Sequence, residues 1–108
     1  MSASVTAPRT VATAPRGVQP KAGSITAASA TVQWLAPLDS GGAPVTDYQV
    51  ETSVNGGRTW LLVRKPASTL RAVRLSNLRP ERSYAVRVRA RNSVGLSTPG
   101  RITFTTTS

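Results

Sequence analysis

Apolar side chains recur along this chain at every second position, not every third or fourth. Ala30, Val32 and Trp34 alternate with Thr31 and Gln33, and Tyr48 and Val50 alternate with Gln49 and Glu51. Val73 and Leu75 repeat the spacing, and Ile102 and Phe104 close the series. The segment 84–91 shows it most clearly, with Tyr84, Val86, Val88 and Ala90 on one side and Arg87, Arg89 and Arg91 on the other. A helix through 84–91 would scatter arginines and valines around its whole circumference, whereas a strand separates them onto two faces. Turn chemistry falls between the runs. Gly41 and Gly42 precede Pro44, Asn55-Gly56-Gly57 marks a hairpin, and Pro80 and the stretch 92–100 mark further breaks. The pattern predicts seven strands near 17–21, 29–35, 46–54, 59–64, 70–76, 83–91 and 101–106. Short strands spaced by about ten residues read as an all-β antiparallel sandwich.

The chain has 108 residues, the size of one domain. The first fifteen residues, rich in Ala, Thr and Pro without periodicity, read as a semi-rigid linker (1–15) ahead of a folded unit over 16–107. The closing Thr-Thr-Thr-Ser reads as a strand running into further linker, Met1 as an added start, and the whole as a piece of a longer protein. No apolar run approaches the roughly eighteen residues of a membrane span, and the first residues lack a signal-peptide core. Membrane insertion is therefore not expected, and a monomer is.

Composition narrows the chemistry. Histidine and cysteine are absent, which removes Ser–His and Cys–His nucleophile systems and imidazole or thiolate metal sites. Only Asp39, Asp47, Glu51 and Glu81 remain as acids or bases. Asp47 and Glu51 share a strand face about 13 Å apart. Paired glycosidase carboxylates need about 5–9.5 Å. No phosphate-cradling glycine loop precedes a helix. No catalytic residue, cofactor or metal is expected.

The order of motifs resembles the fibronectin type III family from about Ala14 to Thr107. Trp34 with Pro37 comes first, then Val45-Thr46-Asp47-Tyr48-Gln49-Val50-Glu51. Leu78-Arg79-Pro80 precedes Tyr84, and Asn92-Ser93-Val94-Gly95-Leu96-Ser97 follows the sixth strand. The resemblance implies an immunoglobulin-like sandwich with a three-strand sheet on a four-strand sheet. It implies a structural core of Trp34, Tyr48, Leu78, Tyr84 and Phe104, with Tyr84 bonding backbone near Leu78 as a tyrosine corner. It also implies non-catalytic spacing and weak interaction beside flanking domains of a larger extracellular or cell-surface protein. Integrin-binding members carry Arg-Gly-Asp before the last strand; the loop 93–100 has none. Arginine-rich, Ala/Thr-rich composition leans towards a bacterial source, whereas Asp39-Ser40-Gly41-Gly42 also resembles muscle-filament members.

Charge leaves a second reading. The net charge is +10 at pH 7. Arg87, Arg89 and Arg91 project from one strand face, and the family's strand order places Asp47, Gln49 and Glu51 on one side of them and Arg101 on the other. The four arginines then form either a cross-strand ladder half-neutralised by two carboxylates, or a stripe attracting an anionic polymer such as an acidic polysaccharide, a wall polymer or nucleic acid. The other cations, Arg16, Lys21, Arg58, Arg64, Lys65, Arg71, Arg74, Arg79 and Arg82, are expected to be dispersed over both sheets and loops. Trp60 is the spare aromatic, expected to pack over the sheet edge.

Overall fold

A computed structural model describes residues 9–67 and 69–108. Seven strands form, each where the alternation placed one: β1 (Arg16–Pro20), β2 (Ala30–Leu35), β3 (Asp47–Ser53), β4 (Leu61–Arg64), β5 (Ala72–Leu75), β6 (Ser83–Arg91) and β7 (Gly100–Thr105). All pairings are antiparallel, in a three-stranded sheet ordered β1-β2-β5 and a four-stranded sheet ordered β4-β3-β6-β7. This is the all-β sandwich of three strands on four. No helix among the described residues is long and apolar enough to cross a membrane.

The inward faces of the two sheets meet in one core. Trp34 from β2 and Tyr48 from β3 contact edge to face across the sandwich, with ring centroids 5.3 Å apart. Tyr84 and Phe104, neighbours on β6 and β7, stack at 5.9 Å. All four rings are buried, and Val32, Val50, Val86 and Val88 fill the space between at 0% exposure. Burying an aromatic ring of this size contributes a few kcal/mol. Leu78 packs against this cluster from the connection between β5 and β6. The Tyr84 hydroxyl accepts a hydrogen bond from the Arg79 backbone N–H at 2.8 Å, which ties that connection to the start of β6.

Ahead of β1, in the stretch expected as linker, residues 1–8 lie outside the described part. Ala12 is buried in the core cluster. The N–H groups of Thr10 and Thr13 donate to the carbonyls of Gly41 and Asp39. Gly41 takes φ +82° there, and a Cβ on it would run into the Thr10 carbonyl. This irregular stretch thus packs onto the loop 36–45 through backbone bonds, which no side-chain period announces. The β3–β4 hairpin also departs from a tight Asn-Gly turn. Seven residues, 54–60, separate the strands, and positive φ falls on Gly56 and Gly57. Asn55 instead uses its side chain: Oδ1 accepts from the Thr59 N–H, and Nδ2 donates to the Thr59 hydroxyl.

Replacing Tyr84 by Phe keeps the ring against Phe104 and removes only the acceptor for Arg79. The expected cost is about 1–2 kcal/mol in chemical denaturation, with an unchanged β-sheet circular dichroism spectrum.

Candidate functional site on the arginine strand

The outer face of the four-stranded sheet is built by register. Antiparallel pairing of β3 with β6 sets Asp47 opposite Arg91, Gln49 opposite Arg89 and Glu51 opposite Arg87. Pairing of β6 with β7 sets Arg87 opposite Arg101. The alternation that buries Val86, Val88 and Ala90 throws the intervening arginines outward, so one pattern specifies both core and charged face.

Glu51 is the centre of the face. Its Oε1 and Oε2 accept from Arg87 Nε and Nη2 at 3.0 and 3.2 Å, a two-pronged contact. Its Oε1 also accepts from Arg89 Nη2 at 2.6 Å. Glu51 is only 8% exposed. Burial by itself pushes its carboxyl up, and the hydrogen bonds and charges of Arg87 and Arg89 more than reverse this, holding it below the ordinary carboxylate value. Arg89 also reaches Gln49 Oε1 at 3.4 Å. Arg91 Nε lies 3.4 Å from Asp47 Oδ1, at a more exposed position.

Arg101 has no carboxylate partner among the described residues. It faces Arg87 directly, and like charges opposite one another on a sheet are unfavourable. Trp60 lies against both. The Arg87 guanidinium lies 4.4 Å from the Trp60 ring centre and the Arg101 guanidinium 5.2 Å. The electron-rich ring offsets part of the repulsion. Arg101 Nη2 also donates to the Gly56 carbonyl at 3.1 Å, so the 54–60 loop supplies both of its contacts. Trp60, expected over the sheet edge, lies over the outer face because that loop reaches over β6 to Arg101 of β7. Arg101 standing two strands from the nearest acid is the signal by which the sequence could have pointed to such a partner.

The four arginines expected as a stripe therefore share one sheet face, Arg87 and Arg89 meeting at Glu51, Arg91 at Asp47 and Arg101 at Trp60 and Gly56. The remaining acids have structural contacts or turn positions. Asp39 Oδ1 accepts from the Gly41 N–H at 2.8 Å, and Glu81 occupies a turn with φ +54°. Among the described residues, no group of three or more His, Cys, Asp or Glu side chains comes together for a metal.

The cations expected to be dispersed are not evenly so. Between Glu51 and Glu81 the chain has six cations and no carboxylate. Arg64, Lys65 and Arg74 meet in one surface cleft between β4 and β5. Sequence separation hid this, since two sheet edges bring them side by side.

The contribution of Glu51 to stability is fully present above its unfolded pKa, about 4.3, and is lost as pH falls through its lower folded value. Denaturation midpoints of the native chain should fall across that window. Glu51→Gln should flatten the fall and cost about 1–3 kcal/mol at neutral pH. Trp60→Ala should cost about 1 kcal/mol, and salt at about 1 M should recover part of it by screening Arg87 from Arg101.

Comparison with known proteins places this geometry in a family. The family model described as "Fibronectin type III domain" matches residues 13–106. The chain is 43% identical over 72 residues to the titin homolog of Caenorhabditis elegans, covering 66% of this chain and, in whole per cents, 0% of that protein. It is 36% identical over 91 residues to endoglucanase B of Cellulomonas fimi, covering 81% of this chain and 8% of that enzyme. It thus spans only a small fraction of these relatives. A crystal structure of consecutive titin domains superposes with a TM-score of 0.77 at 31% identity, covering 91% of this chain and 33% of that one. With sandwich topology, aromatic core and family match in agreement over most of its length, this chain belongs to the fibronectin type III family.

Proposed function

We propose that the chain is a non-catalytic spacer and weak interaction module in a larger extracellular or cell-surface protein, set between flanking domains. The observation that carries this reading is that the ends of the packed unit lie at opposite poles. Thr10 and Thr13 bond to the 39–41 loop, and Asn92, at the end of β6, donates to the carbonyls of Thr10 and Ser40. At the other pole the Thr107 N–H donates to Thr26, and the Glu81 N–H to Thr107. β6 joins the poles with nine residues, about 27 Å of strand at about 3.4 Å per residue. Both ends are held by hydrogen bonds, so the unit transmits a fixed separation.

The absence of His and Cys and the engagement of Asp39, Asp47 and Glu51 in pairs and turns support a non-catalytic role. The same contacts favour the ladder reading of Arg87, Arg89, Arg91 and Arg101 over a site for an anionic polymer. Twelve arginines to two lysines, together with the likeness to an endoglucanase of Cellulomonas fimi, support a bacterial parent protein.

Spin labels on Thr10→Cys and Thr107→Cys, in a chain with no cysteine of its own, should give one narrow distance peak near about 30 Å. In the parent protein, deleting the module should draw its neighbours together and leave their chemistry intact. A broad distance distribution, or loss of a neighbour's turnover on deletion, would contradict the reading.

A further inference from the structure

The two sheets differ by one strand, and the missing strand leaves a place. β4 pairs with β3 on one side only, and β5 pairs with β2 on one side only. These edges lie on the same side of the sandwich, because one cleft is lined jointly by Leu61 and Val63 of β4 and by Leu75 and Leu78. With three strands facing four, β4 has no strand across from it. Its inward-facing Leu61 and Val63 accordingly remain 70% and 38% exposed, and Val54 beside them 71%. Elsewhere in the chain, inward-facing strand positions such as Val32, Val50 and Val88 are fully covered.

The charged residues lining this side have one sign: Arg79 lines the cleft, and Arg64, Lys65 and Arg74 line the neighbouring one between β4 and β5. They lie in a stretch of sequence with no Asp or Glu. Among the described residues, none of the four forms an ion pair, in contrast to Arg87, Arg89 and Arg91. An exposed β5 edge offers unpaired backbone groups, and extended peptides commonly bind by adding a strand to such an edge. An occupant needs alternate apolar side chains for the Leu61–Val63 side and alternate acidic ones for the rim. A second copy of this chain fits poorly, since each copy has a net charge of +10 and the same cationic rim.

We propose that the β4–β5 side is a docking site for an extended segment of another protein, alternating acidic and apolar residues, which adds beside β5 and covers β4. This deepens the interaction half of the proposed function and leaves the spacing half independent.

The test titrates the isotope-labelled chain with an eight-residue peptide of alternating Glu and Val at about 0.15 M salt. Its controls are a Lys/Val peptide of the same pattern and polyglutamate. The Glu/Val peptide should bind, shift the amide signals of β4 and β5, and slow hydrogen exchange along β5. Arg74→Glu combined with Arg79→Glu should weaken it about tenfold or more by placing like charges together. Leu61→Asp, at an exposed position, should do the same while the spectrum of the fold persists. Absence of binding, equal binding of either control, or shifts centred on Arg87 and Arg101 would overturn the proposal. So would a peptide-free dimer that protects β4 and β5. The distance between the labelled poles is unaffected by any of these results, so it tests the spacer reading separately.

Discussion

The contact of Trp34 with Tyr48 is the constraint on which the rest of this structure rests. It is made between β2 of one sheet and β3 of the other, so it sets how the sheets face each other. The stacked Tyr84 and Phe104 hold the neighbouring strands of the four-stranded sheet against the same core. Aromatic pairs in such geometries add about 0.5–1.5 kcal/mol beyond their buried area. The fit has a cost, because the buried Trp34 Nε1 has no hydrogen-bond partner among the described residues. Sheet-to-sheet packing outweighs that one polar atom. Four of the five aromatic rings are spent in this core, which leaves Trp60 as the ring over the outer face.

Strand alternation then forces the charge outward, and the two sides of the molecule deal with it differently. On the β3–β6–β7 face, a nearly buried Glu51 holds two arginines, and Trp60 stands in for the acid that Arg101 lacks. On the β4–β5 side, no ion pair or ring contact compensates the cations among the described residues. Edge strands in natural sheets are commonly guarded by Lys, Arg and Pro, and Arg64, Lys65 and Pro66 at the end of β4 fit that description. The same residues that discourage pairing between identical chains favour an acidic partner. Repulsion of one class of strand and attraction of another arise from one arrangement.

Much of this was legible in the sequence because one period specifies two things at once. Placing Val86 and Val88 inside placed Arg87 and Arg89 outside, and the family's strand order put Glu51 beside them. What escaped were features without a period. Trp60 belongs to a loop, and its position depends on how Asn55 closes that loop through side-chain bonds. Ala12 enters the core from an irregular stretch held by backbone hydrogen bonds, to which side-chain type gives no clue. Arg64 and Arg74 are ten positions apart and become neighbours only because two unpaired edges fall on the same side.

Trp34, the ring that joins the two sheets, is sealed from solvent at 3% exposure. Trp60→Phe leaves Trp34 as the single tryptophan, since the chain has two. Its fluorescence should then be blue-shifted and resist quenching by acrylamide until the chain unfolds. Red-shifted emission, quenched in the folded protein as readily as free tryptophan, would contradict the account.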